Sequence, residues 1–111
     1  MSLSLGTAGE DAAAAWYAAR GYKVLARNWR CREGELDLIV HRGRTVVFCE
    51  VKARSSVAFG APVEAVGRTK QARIRRLAAQ WLSSAHVPAG ELRFDVASVL
   101  AGDVDVIEGA F

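Results

Sequence analysis

Apolar and polar residues follow one another along this chain with two different periods. Residues 7–20 are rich in alanine, which is typical of a helix, and Gly21 would end that helix as its C-cap. Residues 62–84 predict a second helix, with a break near Gly67 as an alternative. The apolar residues of this segment recur three and four positions apart, the spacing of a core-facing stripe, at Ile74, Leu77, Ala78, Trp81 and Leu82.

Strands are predicted for most of the remaining chain. Strand-like runs occupy residues 22–29, 35–41, 45–52 and 92–100, and a short last strand is predicted at 103–107. The order α-β-β-β-α-β predicts an α/β fold in one domain over residues 1–111, with a mixed central sheet flanked by helices. The helix between the third and fourth strands would form a right-handed crossover, which makes those two strands parallel.

Three charged residues interrupt the apolar pattern of the predicted β-hairpin. Asp37 lies in the run GELDLIV, and Glu50 and Lys52 lie in the run TVVFCEVKA. Ionised side chains are rarely buried in strands unless they are paired or bind a metal. A two-residue loop at Arg42-Gly43 would set Glu35 opposite Glu50 and Asp37 opposite Phe48.

Side-chain alternation then brings the charged groups of the hairpin together. Glu35, Asp37, Glu50 and Lys52 would emerge on one face of the sheet. The opposite face would be apolar, with Leu36, Leu38, Val40, Val47, Cys49 and Val51. A carboxylate pair can hold a divalent cation, and a neighbouring ammonium can order a water or stabilise a phosphate. The alternative is a buried ion pair, but three carboxylates against one lysine leave negative charge uncompensated.

The charge of the chain is small but unevenly distributed. Fifteen Lys and Arg residues against twelve Asp and Glu give a net charge of +3. Basic residues concentrate in two segments, at Arg20, Lys23, Arg27, Arg30 and Arg32 and at Arg68, Lys70, Arg73, Arg75 and Arg76. Basic surfaces beside a carboxylate site suit a polyanionic partner such as nucleic acid.

Several sequence features predict a cytoplasmic protein without a membrane partner. No run approaches the ~20 apolar residues of a membrane span, and the start MSLSLGTAGED lacks the regions of a signal peptide. Cys31 and Cys49 are too far apart for a C-x-x-C motif, so both are expected to be reduced.

Three further polar residues have two interpretations. Lys70 and Gln71 lie close to the apolar stripe at the start of the second helix, where they would contact phosphate or support the site. Lys70 could instead lie along the edge of the core through its aliphatic stem. Glu10 fits a capping box with Thr7, or it supplies a further acidic ligand beside the site.

The chain resembles the YraN-like proteins, a bacterial family assigned to the PD-(D/E)XK, or restriction-endonuclease-like, nuclease superfamily. It is also similar to the archaeal Holliday-junction resolvases, which are homodimers. The segments that carry the resemblance are GTAGE, RGYKVLARNWRCREGELDLI, VFCEVKAR, FGAPVEAV and RFDV, in this order along the chain. Leu36 stands where the superfamily pattern often has proline.

The resemblance implies a metal-dependent nuclease with a restriction-endonuclease-like core. Its catalytic residues would be Asp37, Glu50 and Lys52, and its Mg²⁺ or Mn²⁺ ligands Asp37 and Glu50, with Glu35 and Glu10 beside them. The expected substrate is DNA, with branched or damaged DNA among the candidates, and a homodimer is one expectation. Residues expected to contact nucleic acid are Lys70, Gln71, Arg54, Ser55, Arg73, Arg75 and Arg76. The alternative is a non-catalytic nucleic-acid-binding or protein-interaction module on the same fold.

Overall fold

The predicted order of helices and strands is confirmed. A computed structural model of the protein describes residues 5–54 and 66–111. The elements are α1 (Leu5–Ala18), β1 (Lys23–Cys31), β2 (Gly34–Arg42), β3 (Thr45–Arg54), α2 (Arg68–Ala85), β4 (Glu91–Leu100) and β5 (Asp103–Ile107). Neither of these helices is long and apolar enough to cross a membrane.

The strands form one five-stranded mixed sheet in the order β1-β2-β3-β4-β5. β3 and β4 are parallel, as the intervening helix α2 predicts, and pair from Thr45↔Glu91 to Arg54↔Leu100. The pairs β1–β2, β2–β3 and β4–β5 are antiparallel. The fold is therefore an α/β fold in which β3 is the central strand.

The two helices cover opposite faces of the sheet. Ala13 and Tyr17 of α1 pack in one cluster with β-strand residues that include Leu38 and Val47. The stripe of α2 packs on the other face, where its members Ile74, Leu77, Ala78 and Trp81 join a second cluster with Ile39, Val46, Phe48, Phe94 and Val96.

The position at which α1 begins decides between the two interpretations of Glu10. α1 already includes Leu5, so Thr7 lies inside the helix and is not its N-cap. The capping-box interpretation of Thr7 and Glu10 is wrong, because an N-cap residue has a non-helical backbone. α2 begins after Gly67, whose backbone is extended. Residues 62–65 of the predicted helix lie outside the described residues.

The register of the β2–β3 hairpin differs from the predicted one. Arg42 pairs with Thr45, so the loop is Gly43-Arg44. Gly43 has φ 59° and takes the first loop position, where type II′ hairpins place glycine. Ile39 consequently lies opposite Phe48, and the predicted pairing of Asp37 with Phe48 is wrong. Every partner moves by two residues, and a shift by an even number does not by itself move a side chain to the other face.

The β1–β2 end of the sheet departs from strict alternation. Leu36 belongs to the α2-side cluster rather than to the apolar face of Leu38, and its cross-strand partner Trp29 packs there too. Asn28 has φ 53°, which interrupts the extended backbone of β1 just before Trp29. The turn that follows lies against α2, where Gly34 approaches the side chains of Arg73 and Leu77.

Candidate functional site

The candidate site lies where the strands β2 and β3 separate. Their backbone pairing ends at Leu38↔Cys49, one residue before Asp37 and Glu50 would face each other. Beyond that point a side chain of β2 bonds to the backbone of β3. The Asp37 Oδ2 accepts a hydrogen bond of 2.9 Å from the Val51 N–H. Asp37 is thereby held against β3, beside Glu50.

Asp37 and Glu50 line one cavity of about 250 Å³ between the sheet and α2. Its other lining residues are Gly34, Glu35, Lys70, Arg73, Ile74 and Leu77. The Lys70 ammonium lies 2.8 Å from a Glu50 carboxylate oxygen, and Glu50 is only 13% exposed. The cavity therefore combines acidic residues of the strands with basic residues of the first turns of α2.

The carboxyl group of Asp37 is strongly perturbed. Its pKa is raised from 3.8 to about 7, first by burial and then by the Glu50 carboxylate. Glu10 and Glu35 raise the pKa further, while the hydrogen bond from Val51 lowers it. Negative charge is thus crowded at this point, and a proton or a cation there would relieve it.

The donor set fits a hard divalent cation held by few protein ligands. In the described ranges 5–54 and 66–111, no group of three or more His, Cys, Asp or Glu side chains is arranged to hold a metal ion. Mg²⁺ commonly needs only one or two carboxylates, because it keeps several waters and also binds substrate phosphates. The adjacent Asp37 and Glu50 carboxylates supply such a pair.

The remaining predicted site residues take separate positions. Lys52 follows Glu50 by two residues on β3 and lies opposite Ser98 of β4. Glu35 lines the cavity, and its carboxylate lies 3.0 Å from the Arg30 guanidinium. The predicted pairing of Glu35 with Glu50 is wrong, because the β2–β3 register differs by two residues and Glu35 pairs with Arg30 of β1. Glu10 is half-buried on α1 and close enough to Asp37 to affect its pKa. Of the two interpretations of Glu10, the capping box is wrong, and Glu10 is an acidic group beside the site.

The residues expected to contact nucleic acid do not all lie at the cavity. Lys70 and Arg73 line it. The Gln71 side chain donates to the Val66 carbonyl at 2.7 Å and so holds the start of α2.

The Arg75 guanidinium lies over the ring of Phe94, 4.6 Å from its centroid. Arg76 is exposed on α2, Arg54 lines a different cavity near the start of α1, and Ser55 lies outside the described residues.

Sequence reasoning assigned no role to Asp95, which is fully buried. Its carboxylate accepts hydrogen bonds from the Tyr17 hydroxyl at 2.6 Å, from the Arg93 guanidinium, and from the Gly109 N–H at 3.0 Å. This network joins α1, β4 and the segment after β5. An aspartate inside the apolar run 92–100 was the signal that could have revealed it, as it did for Asp37.

Both cysteines are free thiols. Cys49 is buried beside Tyr17, and burial raises the pKa of its thiol to about 12. Cys31 is partly exposed next to Glu33 and Gln80. Cys49 is therefore a core residue without nucleophilic character at neutral pH.

Comparison with known proteins identifies relatives along nearly the whole chain. The model of the Uncharacterised protein family UPF0102 matches residues 9–99. A UPF0102 protein of Beutenbergia cavernae is 55% identical, over 87% of this chain and 82% of the relative. One of Frankia casuarinae is 53% identical, over 97% and 96%. One of Moorella thermoacetica is 47% identical, over 96% and 93%.

Proposed function

The chain belongs to the Uncharacterised protein family UPF0102, and we propose that it is a metal-dependent nuclease that hydrolyses phosphodiester bonds in DNA. The observation that carries the proposal is the shared cavity of Asp37 and Glu50, in which burial and then the neighbouring carboxylates raise the pKa of Asp37. Placement in the PD-(D/E)XK superfamily is part of the proposal. Its support is the order of helix, three strands, helix and strand around Asp37, Glu50 and Lys52.

Each site residue has a distinct role in this proposal. When bound, Mg²⁺ or Mn²⁺ would supply a Lewis acid for the scissile phosphate. Asp37 and Glu50 would hold it through their carboxylate oxygens. Lys52 shares the face of Glu50 on β3, and its ammonium would stabilise the negative charge that develops on the phosphate in the transition state. The basic side chains of Lys70 and Arg73 would bind the flanking phosphates.

The second candidate is a non-catalytic nucleic-acid-binding module on the same fold. The ion pair between Lys70 and Glu50 favours it, because one of the two proposed metal ligands already has a cationic partner. In that case the carboxylates and lysines would form a structural cluster beside a basic binding surface.

The test that separates the two candidates uses Lys52. Lys52→Ala should retain metal and DNA binding, because the ammonium acts mainly in the transition state. Cleavage should fall by roughly two to four orders of magnitude, the range of a lost electrostatic or proton-handling group. The measurements are single-turnover cleavage of single-stranded, duplex, flap and four-way DNA with Mg²⁺ or Mn²⁺, together with a thermal melt of each variant.

Asp37→Ala is the matched control, since it should lose metal binding as well as cleavage. A stable wild-type protein that binds these DNAs but cuts none of them with either metal would support the binding module. If Lys52→Ala instead lowers the melting temperature in proportion to its activity, Lys52 is a structural counter-ion.

A further inference from the structure

The ion pair between Lys70 and Glu50 does more than neutralise a carboxylate. We propose that Lys70 is an exchangeable counter-ion. It occupies Glu50 while the site lacks a divalent cation, and it turns to a nucleic-acid phosphate when Glu50 binds that cation. This inference rests on the proposed function and adds a coupling between metal binding and phosphate binding.

The two partners differ in how firmly they are held. Glu50 lies on the central strand and its side chain is 13% exposed, whereas the Lys70 side chain is 47% exposed. A buried carboxylate that stays ionised needs a positive partner, because an uncompensated buried charge is costly. The lysine reaches Glu50 from the solvent side on a flexible four-carbon stem, so it can leave and be hydrated. Exchange of the partner is therefore possible on the lysine side alone.

The position of Lys70 in α2 indicates where its charge would go. It is the third residue of the helix, and the first turn carries basic residues and no acidic one. Cations are unfavourable at a helix N-terminus, whose free N–H groups and dipole already present positive charge. The N-cap residue, Gly67, has no side chain that could accept a hydrogen bond from these N–H groups. A phosphate beside this turn would relieve the repulsion that Lys70 experiences once it leaves Glu50.

The exchange makes a thermodynamic prediction about two ligands. In the free protein Lys70 competes with the cation for Glu50, so it weakens metal binding. After release it adds a contact to phosphate, so metal and DNA should each raise the affinity for the other by the same factor. If Lys70 only contributed to the DNA-binding surface, it would not weaken metal binding through Glu50. If it were only structural, its removal would not change the factor by which metal and DNA raise the affinity for each other.

Lys70→Met tests this because methionine keeps an unbranched apolar side chain and removes the ammonium. Without DNA, the variant should bind Mn²⁺ more tightly than the wild type by at least about fivefold in calorimetry, the lower range of such couplings. Anisotropy with labelled duplex DNA should show that Ca²⁺ raises the affinity of the wild type, and that this gain is smaller in Lys70→Met by a similar factor.

Arg73→Met is the charge-matched control. Arg73 lines the same cavity one turn further along α2, but it is Lys70 that contacts Glu50. The control should weaken DNA binding equally with and without Ca²⁺ and should bind Mn²⁺ within about twofold of the wild type.

The outcomes separate this inference from the proposed function. Equal Mn²⁺ affinity in the wild type and Lys70→Met would overturn the exchange and leave the nuclease proposal standing. If Arg73→Met bound Mn²⁺ as much more tightly as Lys70→Met does, the exchange would also be overturned. The effect would then come from the loss of a positive charge near the site and not from the release of Glu50. A folded wild-type protein that binds no Mn²⁺ would overturn both.

Discussion

At the scale of single residues, Asp37 and Asp95 show two solutions to a carboxylate inside a sheet. Asp95 is surrounded by donors and by the Arg93 guanidinium, so each of its oxygens is bonded. Asp37 receives the Val51 N–H but lies among other carboxylates. The first arrangement stabilises the fold, whereas the second leaves a charge that only a proton or a cation can offset.

The raised pKa of Asp37 makes the metal-free protein sensitive to pH. Between its unfolded value near 3.8 and its folded value of about 7, the native state keeps a proton that the unfolded chain has lost. The free energy of unfolding therefore decreases as the pH rises through this window. Asp37→Asn, which still accepts the Val51 hydrogen bond, should melt several degrees above the wild type at pH 8, but not at pH 4.

Thermal melts in the presence of a chelator measure this effect. Asp105→Asn on the exposed face of β5 is the control for a lost surface charge. A stability difference between Asp37→Asn and the wild type that is the same at pH 4 and pH 8 would contradict the perturbed titration of Asp37.

At the scale of elements, the contact of α1 with β3 positions Glu10. Gly9 is buried, and a Cβ added there would lie 2.6 Å from the Cβ of Ala53. The helix can approach the strand this closely only because residue 9 has no side chain. That approach brings Glu10, the next residue, to the Asp37 end of the sheet.

Two glycines of α1 provide a matched test of this contact. Gly9→Ala should cost about 1–3 kcal/mol, because neither the strand nor the helix can yield without a backbone shift. Gly6→Ala has open space around its Cβ and should be neutral or stabilising by up to about 1 kcal/mol, since alanine favours a helix. Urea denaturation measures both values. Equal effects of the two substitutions would show that α1 does not pack tightly at Gly9.

At the scale of the whole molecule, the basic residues divide into groups with different neighbours. Lys70 and Arg73 line the carboxylate cavity, and Arg30 pairs with Glu35 at its edge. Arg20 stacks on Trp16 and Arg27 pairs with Asp11, so both are associated with α1. The surface expected to meet nucleic acid is therefore the α2 side around the cavity, rather than the whole basic sequence.

Because the basic residues divide in this way, removing one arginine from either group should change DNA binding to a different extent. Arg73→Ala should weaken DNA binding and reduce the slope of log affinity against log salt by about one, since one phosphate contact is lost. Arg20→Ala removes the same charge but lies on the α1 side, so both values should stay close to those of the wild type. Salt titrations of duplex binding provide the comparison. A greater loss for Arg20→Ala would place the nucleic-acid surface on the other face.

The sequence by itself determined the kinds and order of the elements, and it predicted that Asp37 and Glu50, which line one cavity, lie close together. Periodicity is a local property, and the assignment to a face depends only on whether a shift in register is odd or even. For this reason Asp37 and Glu50 line one cavity although the predicted hairpin register was wrong by two residues.

Only the tertiary structure decided which charged groups meet. The loop at Gly43-Arg44 set the register, and the packing of α2 on the sheet brought Lys70 to Glu50. The close approach at Gly9 brought Glu10 towards Asp37, and β4 joined Asp95 to Tyr17. These contacts join residues far apart in the sequence. They depend on the distance and angle between packed elements, which no local pattern of apolar and polar residues specifies.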